Sequence, residues 1–209
     1  MKKGERTRRA IVEKAARVFN TKGYCGSSMN DLVRETGLQK GGIYNHFASK
    51  EELALEAFDY ATALMRERFS SALEGREGAL ERLFAVVDVL GGQVDDPPVA
   101  GGCVVLNTAV ESDDAHSELK ERAREVTNWW LRLVGGITKE GVHTGELKPG
   151  TDPRETASVV VATLEGAVML SRLYDDPAHM RRAVGHLKDH LKSVAQSRRI
   201  ERSDACEQD

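Results

Sequence analysis

Between residues 39 and 47, hydrogen-bonding side chains and glycines stand where a packed helix would carry apolar residues. Ile43 and Phe47 lie four residues apart, on one face of a helix. The outer positions are Lys40, Gly41, Gly42, Tyr44, Asn45 and His46. Side chains of these types form hydrogen bonds with base edges and phosphate oxygens. The segment therefore predicts a short helix whose outer face contacts DNA.

The two adjacent glycines have a specific meaning in such a helix. Each destabilises a helix by about 1 kcal/mol relative to alanine, but together they allow the backbone to approach the major groove closely. Beside them, Lys40 can reach guanine O6 and N7, and Asn45 can reach adenine N6 and N7. We expect these two side chains to read bases.

Other residues nearby are suited to phosphate. Tyr44 and His46 end in hydrogen-bonding groups, and Lys50 places a positive charge at the start of the next helix. Ser28 and Ser49 precede helical patterns, where free N–H groups bind anions. Two alternatives stay open, because Tyr44 can belong partly to the core and Ser49 can serve mainly as a helix cap.

The elements that must position these residues are two short helices. Ser28 with Asp31 predicts the N-terminus of the first, and Gly37 predicts the turn after it. Ser49 with Glu52 predicts a full capping box for the helix that follows the DNA-facing segment. This layout is a helix-turn-helix unit.

Residues 38–47, which read LQKGGIYNHF, with Ser49, Lys50 and Glu51 after them, resemble the recognition-helix signature of the tetracycline-repressor (TetR) family. The specific match covers about residues 6–60, and residues 102–114 are similar to a segment found in part of the family. The resemblance implies a dimeric, all-helical, ligand-responsive transcription factor. It also implies that Asn30 contacts a base. Gly42 stands where many members carry Ser or Thr, which removes one phosphate contact.

The charge distribution supports a DNA partner. Overall net charge is −3, but residues 1–50 hold 11 Lys and Arg against 4 Asp and Glu, whereas the remainder holds 19 against 29. A basic segment on an acidic remainder places the cations where phosphates are met. The alternative is that the charge asymmetry arose by chance. The basic segment coincides with the helix-turn-helix, which disfavours that alternative.

Several classes of protein are disfavoured. The charged N-terminus lacks a following apolar stretch, and the longest apolar run, residues 157–170, is interrupted, so we expect a cytoplasmic protein without a membrane partner. Cys25, Cys103 and Cys206 suit neither a disulfide framework nor a thiolate zinc site. His186 and His190 share a helix face but lack a third ligand. We expect no catalytic residues, no metal and no cofactor.

The remaining pattern predicts an all-α fold of about nine helices. Helical patterns cover residues 6–22, 28–36, 38–47, 49–73, 79–90, 103–111, 115–138, 155–173 and 177–195. We predict a DNA-binding domain at 1–50, an effector-binding and dimerisation domain at 51–196, and a disordered tail at 197–209. The helix that begins at Ser49 is expected to connect the two domains mechanically.

The helix predicted at 155–173 is apolar nearly all round, and such a helix must be buried on more than one side. We expect it to form a homodimer interface together with the helix at 177–195, whose apolar stripe includes Leu187 and Leu191. A helix central within one protomer is the alternative.

An effector is expected to bind an apolar cavity in the second domain. The candidate lining is Met65, Phe69, Cys103, Asn107, Trp130, Glu165 and Met169. Most of these residues can equally be core. Glu165 stands out because a buried acid must be paired or functional, and the structural alternative is pairing with Arg172 or with an arginine across the dimer. Of the adjacent residues Trp129 and Trp130, only one can point fully inward.

The sequence thus predicts a regulator, most simply a repressor, that binds a pseudo-palindromic operator as a homodimer and is released by a small, largely apolar effector. A constitutive or architectural DNA-binding protein without a ligand is the alternative. A closed cavity in the second domain would favour the first reading, and a solid core the second.

Overall fold

The structure, a computed structural model, describes residues 3–112 and 116–196. In these residues it contains nine α-helices and no strand, which confirms the all-α prediction. The helices are α1 (Lys3–Lys22), α2 (Met29–Thr36), α3 (Lys40–Tyr44), α4 (Lys50–Leu73), α5 (Ala79–Gly91), α6 (Val104–Ser112), α7 (Ser117–His143), α8 (Pro153–Leu173) and α9 (Ala178–Val194). The tail predicted at 197–209 lies outside the described residues.

Local sequence explains where several helices begin and end. Ser28 and Asp31 form the predicted capping box at α2, and Gly37 ends that helix with a φ of 74°. Asp152 accepts hydrogen bonds from the N–H groups of Arg154 and Glu155 at the start of α8. These caps fix the turn before α3 and the first turn of α8.

The cap of α4 differs from the prediction. Ser49 accepts the Glu52 N–H at 3.0 Å, as expected. The Glu52 carboxylate, however, accepts the N–H of Ala48 at 2.6 Å, and not that of Ser49. The predicted full capping box is therefore wrong, because the glutamate reaches one residue further back.

The head, residues 3–57, has its own apolar core. It contains Leu32 of α2, Ile43 of α3 and Phe47, packed against α1. Leu53 and Ala57, in the first two turns of α4, complete it. Since α4 continues into the second core with Met65 and Phe69, one helix belongs to both parts of the molecule.

The body, residues 58–196, is built around α5, α7 and α8. Helix α8 packs between α7 and α9, and it is long and apolar enough to cross a membrane by length and composition alone. Only 44% of its most apolar 18-residue window is buried. Core helices of soluble proteins pass the same test, so this feature indicates mainly that one protomer leaves much of α8 uncovered.

The two helices predicted as a dimer interface have different roles in one protomer. Val159, Met169 and Leu173 of α8 are 44%, 53% and 68% exposed, so the alternative of a fully central helix does not hold. In α9, by contrast, Leu187 and Leu191 are 1% and 0% exposed. Leu187 and Leu191 are therefore not free to face a partner, since this stripe packs against α5 and α8 of the same chain. A contribution of the rest of α9 to a dimer stays a prediction.

Candidate nucleic-acid interface and effector site

Helix α3 has one buried face and one open face. Ile43 and Phe47 are 1% and 2% exposed, and they anchor the segment in the head core. Lys40 and Asn45 are exposed on the other side, and Tyr44 is 42% exposed, so Tyr44 is not a core residue. The regular helix is only five residues long, and Asn45 and His46 follow it in a turn.

The glycines of α3 are not required by packing within the protein. A Cβ atom added at Gly41 would have no neighbour within 4 Å, and one at Gly42 would meet only the Leu38 Cβ at 3.7 Å, an ordinary contact. Because both positions would tolerate alanine sterically, their helix-weakening effect needs an external reason. A surface that must approach closely, such as a DNA groove, supplies one.

An arginine fixes α3 to the rest of the head. The Arg8 guanidinium lies 4.5 Å from the centre of the Phe47 ring. It also pairs with the carboxylates of Glu52 and Glu56 on α4, and its hydrogen bond to Glu56 raises the pKa of Arg8. This contact holds α1, α4 and the end of the DNA-facing segment in one arrangement.

The predicted phosphate contact at Lys50 is not what the structure shows. Its ammonium group donates to the carbonyl oxygens of Tyr24 and Ser27, the latter at 2.6 Å, and lies 4.3 Å from the centre of the Tyr24 ring. Lys50 is half-buried and holds the loop between α1 and α2. The sequence does not indicate this contact, because the loop that offers the carbonyl groups is distant from Lys50 in sequence. The phosphate contact itself stays a prediction.

At the start of α2, helix capping and ion pairs determine which side chains are free to contact DNA. The Ser28 hydroxyl is used by the cap with Asp31, whereas Asn30 is exposed. Hydrogen bonds from Lys22 and Ser28 hold the pKa of Asp31 well below its usual range. Asp31 therefore stays ionised and balances Lys22 and Arg34.

Gln39 was missed by the sequence reasoning. It occupies the N-cap position of α3 without making a side-chain cap and is exposed beside Lys40. Its polar side chain before the first helical residue was the available signal. It can reach a base edge from the same surface as Lys40 and Asn45.

The head is held to the body through α6. Asn20, 5% exposed in α1, donates from its amide to the carbonyl oxygens of Val99, Ala100 and Gly102. Asn107 was expected to line an effector cavity. Its amide instead donates to the Asn20 side-chain and backbone oxygens, at 2.8 Å and 3.2 Å.

One turn further along α6, a carboxylate holds the next part of the head. Glu111 accepts hydrogen bonds from the N–H groups of Tyr24 and Cys25, at 2.7 Å and 2.6 Å. His116 packs edge-on against the Tyr24 ring, 4.4 Å between centres. Helix α6 thus contacts both the last turn of α1 and the loop that precedes α2.

A small polar cluster lies in the body beside the first residues of α6. Burial raises the pKa of Glu165 to about 7, and Cys103 and Gln93 are its polar neighbours. Within the described residues, neither Glu165 carboxylate oxygen completes a hydrogen bond, nor does the Gln93 amide nitrogen, although Gln93 is only 2% exposed. Arg172 is not the partner of Glu165, since the Arg172 guanidinium lies over Gly102.

The same burial affects the thiol of this cluster. Desolvation raises the pKa of Cys103 well above its usual value, with Glu165 adding to the effect. A thiol held protonated is a poor nucleophile. Cys103 is therefore a packing residue with a weak polar tip.

The other predicted lining residues divide into two groups. Met65, Phe69 and Trp130 are 4%, 1% and 2% exposed and belong to the body core, while the Trp130 indole N–H lacks a partner in the described residues. Trp129 is only half-buried, so one of the two tryptophans points inward, as expected. Met169 is wrong as a lining residue, because at 53% exposure it lies on the outer face of α8.

A small, partly enclosed cavity lies away from Glu165. A cavity of about 30 Å³ lies between head and body, among Asn20, Phe58 and Glu111, and holds no more than a water molecule. Among residues 3–112 and 116–196, no group of three metal-ligating side chains comes together.

Comparison with known proteins gives two matches to family profiles. The profile "Bacterial regulatory proteins, tetR family" matches residues 11–57, and "Tetracyclin repressor-like, C-terminal domain" matches residues 79–187. The HTH-type transcriptional repressor DhaR of Mycobacterium sp. (strain GP1) is 26% identical over 171 residues, which are 79% of this chain and 82% of DhaR.

Solved structures agree. A TetR transcriptional regulator from Chloroflexus aurantiacus J-10-fl superposes with a TM-score of 0.90 at 42% identity, over 93% of this chain and 98% of that one. The transcriptional regulator FadR of Bacillus subtilis, solved with stearoyl-CoA, shares the fold, with a TM-score of 0.72 at 22% identity over 90% of this chain and 99% of FadR.

Proposed function

The chain belongs to the TetR family of transcriptional regulators, and from this premise we propose a ligand-responsive repressor that binds a pseudo-palindromic operator as a homodimer. The open face of α3 over its buried anchors Ile43 and Phe47 is the observation that carries the proposal. We also propose that the protein acts in the cytoplasm, where chromosomal DNA lies, and that it is not an enzyme.

In the proposed complex, α3 lies in the major groove with Gly41 closest to the bases. Lys40 and Asn45 read base edges, with Asn30 and Gln39 as exposed neighbours. Tyr44 and His46 contact phosphates. Ser28 acts mainly as a cap, and Lys50 contributes indirectly by holding the loop before α2.

One head reads few base pairs, so specificity needs a second. The outer face of α8 supports dimerisation because it is apolar at Val159, Met169 and Leu173 and small at Ala162 and Gly166. A Cβ atom added at Gly166 would meet nothing within 4 Å, which leaves room for a partner helix to approach. A two-fold dimer of this kind would present two heads about 34–36 Å apart to successive major grooves.

The effector site proposed here is the cluster of Gln93, Cys103 and Glu165 inside the body core. Cys103 and Gln93 lie close enough to the Glu165 carboxyl to lower its pKa, but neither completes a hydrogen bond of normal geometry with it. A ligand that supplies such bonds is therefore favoured, because leaving buried polar groups poorly matched is unfavourable. The surroundings are apolar, so the matching effector is a small, largely apolar molecule with a hydrogen-bond donor. FadR was solved with stearoyl-CoA, which carries a long apolar acyl chain on a charged coenzyme A group, so a protein of this fold can bind a ligand with a long apolar part.

Helix α6 offers the route from effector to DNA. It starts beside Cys103, next to Glu165, and one and two turns later Asn107 and Glu111 hold the head. Displacing the start of α6 would move α1 and the loop before α2. Helix α4, the predicted connector, supplies the second link through its residues in both cores.

A constitutive regulator without a ligand is the second candidate. The tight packing of Met65, Phe69 and Trp130 favours it, since an effector must open space there. The two candidates differ in one measurement, namely whether any small molecule changes operator affinity.

The proposal is tested by operator selection. Full-length protein is incubated with random double-stranded DNA, and bound sequences are enriched and measured by mobility shift. We expect a sequence with dyad symmetry and half-sites about one helical turn apart. Enrichment of sequences without symmetry, or of none, would contradict the dimeric operator complex.

A further inference from the structure

A groove of about 750 Å³ runs between α7 and α8 and has no role in the function proposed above. It begins at the first turn of α8, about 30 Å along that helix from its last turn, which lies near the head. Leu131, Pro153 and Ala157 give it apolar walls. The groove is therefore separate both from the DNA-facing surface and from the cluster at Glu165.

Three cations line this groove: Arg132, Lys139 and Arg154. All three are exposed, and across residues 3–112 and 116–196 none of them forms an ion pair. The one acid in the lining is Asp152, which accepts the N–H groups that start α8 and interacts electrostatically with Arg154. The groove thus combines apolar walls with three cations against one carboxylate, an excess of positive charge in a body that is acidic overall.

A glycine in the wall indicates that something approaches the backbone here. The fold leaves little room at Gly135, since an added Cβ atom would lie 3.3 Å from the Pro153 carbonyl oxygen. Gly136, the next residue in this 27-residue helix, has nothing within 4 Å of a Cβ atom. Packing within the protomer does not explain a residue that weakens the helix at this position.

We propose that the α7–α8 groove binds a small amphiphilic anion, with a phosphate-type head between the three cations and an apolar chain along Leu131, Pro153 and Ala157. Charge complementarity selects the anion, because a phosphate accepts charge-assisted hydrogen bonds from arginine and lysine. The apolar walls select a chain attached to it. Gly136 provides the space where this ligand meets the backbone of α7.

The test uses n-octyl phosphate and the full-length protein in isothermal titration calorimetry at low salt. We expect saturable binding that weakens as salt is added. Arg132→Gln and Arg154→Gln should each weaken binding at least about tenfold, and Gly136→Leu, which fills the groove, should abolish it. Arg124→Gln removes a charge from the same helix outside the groove and should leave the affinity unchanged.

Two further probes define the class of ligand. n-Octyltrimethylammonium, which has the same chain and the opposite charge, should not bind, and inorganic pyrophosphate should bind more weakly than n-octyl phosphate. Equal binding of both chain-bearing probes would overturn the proposal, as would no binding at millimolar n-octyl phosphate. A change of oligomeric state in the Arg132→Gln variant, without a change in probe affinity, would assign the groove to a second copy of the chain instead.

Discussion

The Asn107 side-chain nitrogen donates a 2.8 Å hydrogen bond to the side-chain oxygen of Asn20, and this contact joins α6 of the body to α1 of the head. Asn20 is 5% exposed, so an unmatched oxygen there would be unfavourable. The same amide nitrogen also reaches the Asn20 and Gly101 carbonyl oxygens. The orientation of the head therefore depends on a buried polar contact that few other residue types could make.

We expect Asn107→Ala to lower the free energy of unfolding by about 1–3 kcal/mol, because it leaves buried oxygens unmatched. Operator affinity should fall as well, since the head loses its fixed orientation. Urea denaturation and mobility-shift titration measure the two effects. Asn128→Ala, at an exposed asparagine of α7, is the control and should change neither. Unchanged operator affinity in Asn107→Ala would show that α6 does not position the head.

Gly41→Ala should change stability and DNA binding in opposite directions. The added methyl group meets nothing in the protein, and alanine favours a helix by about 1 kcal/mol over glycine. Thermal unfolding should therefore move to higher temperature while operator affinity falls. Gly4→Ala, another exposed helical position with open space, should keep full affinity. If Gly41→Ala binds operator like the wild type, the backbone of α3 does not approach DNA.

Much of the fold could be predicted from local sequence. The caps at Ser28 and Asp152 and the anchors Ile43 and Phe47 depend on residues a few positions apart. The orientation of α8 could not be predicted, because a helix that is apolar nearly all round has no periodicity to show which face is buried. Val161 is 7% exposed and Met169 is 53% exposed, although both are apolar.

Long-range polar contacts were also beyond the sequence. Lys50 is drawn to the Tyr24 and Ser27 carbonyl groups, and Glu111 to the loop after α1, 86 residues away. Nothing in the local pattern indicates which distant backbone groups will be unmatched. The link through α6 therefore emerged only from the structure, whereas α4 was visible as one continuous helical pattern.

Met169→Asp is expected to produce monomers. The side chain is 53% exposed in one protomer, so the substitution should not affect folding, but in a dimer through α8 it would bury a charge. Sedimentation velocity at micromolar concentration measures the change, and operator affinity should fall with it. Val161→Asp, inside the protomer core, should instead unfold the chain. A Met169→Asp variant that remains dimeric would place the interface elsewhere.

Glu165 should make stability depend on pH in a specific window. Burial raises its pKa from 4.5 to about 7, so the folded state keeps a proton that the unfolded state has already released. Stability should therefore fall as pH rises from about 4.5 to about 7 and level off above, by on the order of 3 kcal/mol. Denaturation across this range, as the difference between wild type and Glu165→Gln, isolates the effect. A difference that stays constant with pH would contradict the burial of this carboxyl.

If an effector binds at Glu165, its binding and the binding of operator DNA must be thermodynamically linked. A compound that weakens operator binding by some factor must itself be bound more weakly, by the same factor, when operator is present. Because Glu165 can accept hydrogen bonds inside an apolar core, apolar amines such as benzylamine should bind better than benzoate. Binding of the amine should release protons near pH 7, since it favours the ionised carboxylate.

Calorimetry in buffers of different ionisation enthalpy measures that proton release, and mobility shifts measure the coupling. Glu165→Leu removes the acceptor and should abolish amine binding while operator affinity stays intact. Glu118→Leu, at an exposed acid of α7, should leave both unchanged. If a panel of apolar amines, alcohols and acids leaves operator affinity unaltered in the wild type, the unpartnered carboxyl is not an effector site. The chain is then a constitutive regulator, and its DNA-reading surface on α3 is unaffected by that result.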